Sequence, residues 1–328
     1  MRCAVLLLLG AASATVLPAQ TSMSGPVEAY SFDAPTHSLR KIIGSPGSAS
    51  FGLAAVDELD FGSAAPGRNY AIAFRGGRCL LISGLDSHAV STRVIAGVSA
   101  APEGIVWSGD RFSAILFSRT ANWIQTLSGF PDAPVAHDVV DVSPLGGSLS
   151  AVAANTQGSQ IAIGISAGKG GVYLMKDHQA FTPVFQTANP AALSFSSDNA
   201  TLLALDGASR QLFELNLGNL SFQTVPLDGL ADPFAVGAVQ DSQKRRLIYV
   251  ASRSDRVLRI IDPAAAPALI DIPLAFAPTG LEDFGRNSLL LASRARDSDP
   301  LWLLSTSPRP AVYFVPAAVT PLWKVRRR

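Results

Sequence analysis

The chain of 328 residues is 48% hydrophobic and 16% charged, with 27 glycines and 22 prolines. A disordered chain needs high charge and little apolar surface, and collagen needs glycine at every third position, so both classes are excluded. The 26 basic residues against 25 acidic ones provide no global field to steer a polyanion, and nucleic acid is not an expected partner.

In chain order, Met1-Arg2 gives a positive start, Ala4 to Leu9 is apolar, and small residues follow from Gly10 to Ala14. This order reads as a secretory signal peptide over residues 1–19, cleaved after Ala14 or Ala19. An apolar run this short does not span ~30 Å of hydrocarbon, and no later segment is longer and equally apolar, so no transmembrane segment is expected. Export to the periplasm or the cell exterior follows. Loss of Arg2 leaves 25 basic against 25 acidic residues, and loss of Cys3 leaves Cys79 as the single thiol. Cys79 lies in Arg78-Cys79-Leu80-Leu81-Ile82 and reads as a small buried group.

Residues 20–328 read as one all-β domain of repeated four-strand modules. Val27 to Phe32 and Leu39 to Ile43 resemble two strands of an incomplete module. Modules near 51–98, 103–142 and 148–186 follow, and then three sharper ones at 190–228, 233–273 and 278–316. In the first of these, Ala192 to Phe195, Thr201 to Leu205, Gln211 to Leu215 and Ser221 to Val225 are strands separated by polar turns. No sustained period near 3.6 predicts a helix of ordinary length. A repeat of about 40–45 residues matches a four-stranded propeller blade, and its constancy favours a propeller over a pair of sandwiches. Seven blades are expected, with six as the alternative count. A composite blade shared by the two chain ends, using residues 27–43, would close the ring and remove its free edges.

Phe195-Ser196-Ser197-Asp198-Asn199, Leu247 to Ser252 and Val257 to Asp262 carry a family resemblance. They resemble the repeats of bacterial YVTN-type propellers, in which a Phe-Ser-x-Asp-Gly turn precedes a "YVA" strand and a "V-x-V-I-D" strand. The likeness is clear over 190–315 and fainter over 28–186. No Trp-Asp pair closes a blade as in WD-type repeats. The resemblance implies the fold and a general binding or scaffold role, and it brings no catalytic residues.

One catalytic pattern occurs literally. Gly164-Ile165-Ser166-Ala167-Gly168 fits G-x-S-x-G, but a nucleophile elbow needs a helix after the serine. Here Lys169-Gly170-Gly171 leads into another strand, so a hairpin is expected. The same glycines miss the phosphate-loop spacing by one residue. The histidines His37, His88, His137 and His178 are scattered without zinc spacing. His137-Asp138 with Asp141, Asp177-His178 and Glu282-Asp283 are the pairs that a channel metal would draw on. No metal or cofactor is expected.

The remaining pattern is positional. Aligning second strands places Arg75, Arg119, Arg253 and Arg294 at equivalent turns toward the third strand. Such turns share one face of a propeller, where repeated guanidiniums suit carboxylate or phosphate groups. At the C-terminus, Trp323-Lys324-Val325-Arg326-Arg327-Arg328 reads as a solvated basic tail, with anionic lipid or cell-wall polymer as its functional alternative.

The sequence therefore points to an exported, monomeric, non-enzymatic propeller that binds a protein, peptide or glycan. The alternative is a metal-dependent propeller hydrolase or lactonase holding Ca2+ in its channel through residues of several blades.

Overall fold

The computed structural model describes residues 27–317 apart from 88, 99–100, 169, 242, 265–267 and 286. Residues 1–19, expected as a signal peptide, and the Trp323–Arg328 cluster lie outside the described residues. The fold is a seven-bladed β-propeller of antiparallel sheets, with two single-turn 3-10 segments as its helical content among the described residues. The first blade has three strands, β1 (Val27–Asp33), β2 (Ser38–Ile43) and β3 (Ser50–Val56). The second contains β4 (Phe61–Ala64), β5 (Tyr70–Arg75), β6 (Arg78–Ser83) and β7 (Ser91–Val94). The third contains β8 (Gly104–Trp107), β9 (Ser113–Ser118), β10 (Trp123–Ser128) and β11 (Val135–Asp141). The fourth contains β12 (Ser148–Ala154), β13 (Gln160–Ser166), β14 (Gly171–Lys176) and β15 (Thr182–Gln186).

The fifth blade contains β16 (Pro190–Phe195), β17 (Thr201–Asp206), β18 (Gln211–Asn216) and β19 (Phe222–Pro226). The sixth contains β20 (Pro233–Gln240), β21 (Arg246–Ser252), β22 (Val257–Asp262) and β23 (Ala268–Pro273). The seventh contains β24 (Glu282–Gly285), β25 (Ser288–Ala292), β26 (Leu301–Ser305) and β27 (Ala311–Val315). The expected module at 51–98 is thereby corrected. Phe51 to Val56 belongs to the first blade, because β3 pairs with β2 from Ile43–Ser50 to Leu39–Val56.

Each blade is sandwiched between two others, which is why the central strands are apolar on both faces instead of alternating with polar residues. In β17, Leu202 and Ala204 pack toward the fourth blade while Leu203 and Leu205 pack toward the sixth. The same arrangement gives one buried cluster at every seam around the ring. At the closing seam, Ala29, Ile42 and Ala49 of the first blade meet Phe284, Leu301, Leu303, Tyr313 and Val315 of the seventh. Leu202, Leu203 and Leu205 are fully buried, and truncating such a side chain to alanine typically costs about 2–5 kcal/mol.

A recurring hydrogen bond shows which strands the first blade holds. A left-handed residue closes the turn between second and third strands, and its carbonyl accepts from the amide just after the fourth strand. The bonds are Val142 to Asn122 (2.9 Å), Leu227 to Arg210 (3.1 Å) and Leu274 to Arg256 (2.7 Å). Leu59 gives the same bond to His37 (2.8 Å), and His37 has the same left-handed conformation, with φ of 50°. By this signature β1, β2 and β3 occupy the second, third and fourth positions of the blade. The inner position is not filled by any described residue. Residues 27–43, expected as strands of a composite blade, form β1 and β2; the rest of that expectation lies outside the described residues.

Candidate binding face

In every blade the turn from second to third strand and the connector entering the next blade lie at the same end of the ring. Arg75, Arg119, Arg253 and Arg294 all sit at this end, as the ends of β5, β9, β21 and β25 dictate. Their side chains differ.

Arg119 is held from below by its backbone. Glu103, one residue before β8, accepts from the Ser118 hydroxyl (2.8 Å) and from the amides of Arg119 (3.2 Å) and Thr120 (3.0 Å). Hydrogen bonds from Thr120 and Ser118 lower the Glu103 carboxyl to about 2. The Arg119 guanidinium lies 5.2 Å from the Phe117 ring centre, and its Nε donates to the Ser150 carbonyl of the next blade (3.1 Å). Phe117 can lie there because position 104 is glycine. A Cβ on Gly104 would come within 2.3 Å of the Phe117 ring.

Arg253 is exposed, with its guanidinium 4.2 Å from the Phe234 ring centre. Its turn is held by Asp255, which accepts from the Ser252 hydroxyl and from the Ala231 amide (2.7 Å). Arg75 is also exposed, and it donates to the carbonyls of Asp57 and Glu58. None of these three guanidiniums makes an ion pair with a carboxylate among the described residues.

Arg294 is turned inward and does not join them. It is 4% exposed, and its Nη1 lies 2.9 Å from both carboxylate oxygens of Asp33 in the first blade. The carbonyls of Asp299 and Asp297 accept from its Nε and Nη2, so all three guanidinium nitrogens are engaged within the protein and the side chain is buried. Its inclusion among ligand-facing arginines is corrected on that ground.

The channel carries charge mainly on β24. Glu282 is open to solvent, yet the crowding of protein around it raises its carboxyl above the ordinary range, and Arg119 partly counters that shift. Asp283 pairs with Arg111 of the third blade at the opposite end of the ring. Sequence reasoning singled out Glu282 and Asp283 but missed Glu103 and Asp255. Their signal was an acidic residue placed just before an inner strand or within a turn, which any solvated loop also shows.

Among the described residues, no three His, Cys, Asp or Glu side chains converge to hold a metal ion. His137 and His178 stack at 4.1 Å between the third and fourth blades, and His137 meets the Ser128 hydroxyl at 2.8 Å. Burial and the neighbouring His137 lower the pKa of His178. The G-x-S-x-G segment is a hairpin. Gly164 and Ser166 end β13, which pairs antiparallel with β14 from Gln160–Lys176 to Ile165–Gly171. The Ser166 hydroxyl donates to the Ser148 carbonyl (3.3 Å).

No protein-family model matches the chain, and no curated protein matches it. Solved structures do match in fold. A chain of the nidogen/laminin complex is 13% identical with a TM-score of 0.50, covering 77% of this chain and 95% of that one. A functionally unknown protein from Desulfotomaculum acetoxidans is 11% identical with a TM-score of 0.53, covering 75% of this chain and 78% of that one. Likeness at this level establishes the β-propeller fold, an architecture suited to a binding or scaffold module. Among the described residues no helix is long and apolar enough to cross a membrane.

Proposed function

We propose that the protein is an exported, non-enzymatic propeller of the YVTN-like kind. In this reading it binds a protein, peptide or glycan that presents carboxylate groups to the face carrying Arg75, Arg119 and Arg253. The observation that carries the reading is that Arg119 and Arg253 are held in place without being neutralised. Each is stacked on an aromatic ring while a nearby carboxylate holds its turn by groups other than the guanidinium. A guanidinium preorganised in this way loses little entropy when it grips a carboxylate by two parallel hydrogen bonds. The nidogen/laminin structure, a complex of two proteins, is a fold neighbour in keeping with a protein-binding role.

The reading is tested with immobilised poly-L-glutamate and polygalacturonate as probes, and with polylysine as the control. The wild-type protein is expected to bind one acidic probe and to release it as salt rises. Replacing Arg75, Arg119 and Arg253 with glutamine should abolish that binding and leave the melting temperature within about 2 °C of wild type, as for other exposed substitutions. Equal binding by the triple variant, or no binding by the wild type to either acidic probe, overturns the reading.

A further inference from the structure

The seam between the fourth and fifth blades and that between the sixth and seventh each carry three aromatic rings, one of them at the surface. At the first, Phe185, Phe213 and Phe222 lie with ring centres 5.2, 5.8 and 5.9 Å apart. At the second, Phe276 stacks on Trp302 at 4.3 Å and 14°, and Phe314 lies 5.5 Å from Trp302. Phe222 and Phe314 are equally exposed, at 52%. Their positions along the blade differ. Phe222 opens the fourth strand β19, at the end of the ring away from the arginine turns. Phe314 is the last residue but one of the fourth strand β27, at the arginine end.

The strand register explains the second group. Trp302 is the second residue of β26, opposite Ala292 on one side and Phe314 on the other. Cross-strand partners share a face of the sheet, and this face packs against the sixth blade. Phe276 comes from the connector between those blades, which is tied down on both sides of the ring. Leu274 donates to the Arg256 carbonyl (2.7 Å), and Thr279 and Gly280 both donate to the Leu291 carbonyl (2.8 and 3.1 Å). Phe234, which lies under the Arg253 guanidinium, packs against the same buried cluster as Phe276 and Trp302. From the channel outward, the order at this end is Arg253 on Phe234, the Arg256 turn, the Phe276–Trp302 stack and Phe314.

Arg253 and Arg256 are both exposed, and neither makes an ion pair with a carboxylate among the described residues. Asp255, between them in the chain, accepts from the Ser252 hydroxyl and the Ala231 amide instead. In the neighbouring β25–β26 turn, Arg296 and the exposed Asp297 offset each other in charge. The seam therefore sets two available guanidiniums beside a fixed aromatic surface.

That pairing fits one of the ligand classes open to the arginine face better than the others. The face of an aromatic ring is electron-rich and attracts C–H groups made positive by neighbouring oxygens. A pyranose presents such C–H groups together on one side of its ring. In a uronic acid the carboxylate is attached directly to that same ring, where a guanidinium beside the aromatic surface can grip it by two hydrogen bonds. An acidic peptide offers the carboxylate on a flexible stem and no comparable C–H face. We propose that this seam is a saccharide subsite. Phe276, Trp302 and Phe314 take the sugar faces of a uronic-acid polymer, and Arg253 and Arg256 take its carboxylates. The proposal rests on the carboxylate-binding reading of the arginine face and names the class of its ligand.

The test compares the full chain and its variants by affinity electrophoresis through gels containing polygalacturonate or poly-L-glutamate of matched carboxylate content. Wild type should be retarded more strongly by polygalacturonate. Phe276→Ala and Phe314→Ala should each weaken that retardation about tenfold, the scale of one good aromatic contact, and leave retardation by poly-L-glutamate unchanged. Phe222→Ala, equally exposed at the other seam, should match wild type in both gels. Replacing Arg253 and Arg256 together with glutamine should weaken retardation in both. Equal retardation of wild type by the two polymers, or a Phe314→Ala variant that behaves like Phe222→Ala, overturns the saccharide subsite and leaves the arginine face standing. Full retention of polygalacturonate binding by the double arginine variant also overturns it. Binding of neither polymer by wild type overturns both readings. If Phe276→Ala lowers the melting temperature, Phe314→Ala decides, because an exposed ring can be removed with little effect on folding.

Discussion

Arg119 and Arg294 occupy equivalent places in the third and seventh blades, and both have a carboxylate within reach. In the third blade Glu103 binds the turn itself, through the amides of Arg119 and Thr120 and the Ser118 hydroxyl. The guanidinium is left at the surface on Phe117. In the seventh blade Asp33 binds the guanidinium, and both side chains are buried, at 2% and 0% exposure. The difference lies in where the acid comes from. Glu103 precedes the inner strand of the arginine's own blade, whereas Asp33 ends the second strand of the neighbouring blade across the closing seam. An acid of the first kind aims a turn outward, and one of the second kind fastens two blades together.

The largest expected effect comes from breaking the fastening. Arg294→Gln leaves the Asp33 carboxylate buried, with Thr36 (2.6 Å) and the more distant Arg40 (3.5 Å) as its remaining side-chain partners. Removing one partner of a buried pair costs about 3–5 kcal/mol, and the denaturant midpoint should fall accordingly. Arg119→Gln should cost less than about 1 kcal/mol, as expected of an exposed cation. Equal losses in the two variants would break the comparison.

Cys79 sharpens the same contrast as a reporter of opening. Burial pushes its thiol up to about 12, so it should resist alkylation at pH 8 while the ring is closed. Labelling of the opened form tracks the opening equilibrium. It should therefore speed up on the order of 100-fold in Arg294→Gln and hardly change in Arg119→Gln.

The architecture was legible because its signal is repeated. The strand runs of 190–228, 233–273 and 278–316 recur at one spacing, and each observed blade there begins and ends within a few residues of those limits. The first blade was harder to read because its described strands, β1 to β3, do not repeat the four-strand pattern. Phe51 to Val56 therefore passed for the start of the next module. The arginine positions were also readable, since they mark strand ends in register. Their fates were not. Whether Arg294 faces solvent depends on Asp33, 261 positions away in the chain. Period and composition do not encode that contact. Glu103 escaped for a related reason, because its function lies in the atoms it accepts from and those are set by the geometry of the turn.

The smallest effect expected is at Glu103, and it separates the two uses of a carboxylate by pH. Its carboxyl is lowered to about 2 in the folded protein, against an ordinary value near 4.3. The unfolded chain therefore takes up this proton first as pH falls. The stability that Glu103 contributes is complete above about pH 4.3 and is lost on the way down to pH 2. Glu103→Gln keeps an acceptor oxygen but removes the charge. At pH 7 the loss should stay under about 1 kcal/mol, because the group is near the surface. Denaturation curves collected between pH 5 and pH 2 should converge, with the variant losing stability less steeply than wild type. The turn would also be held less firmly, so retention on an acidic probe that binds wild type should weaken at pH 7 with little change in melting temperature. A variant whose acid limb is as steep as that of wild type would show that Glu103 does not hold the Arg119 turn. The contrast with Asp33 would then reduce to burial alone.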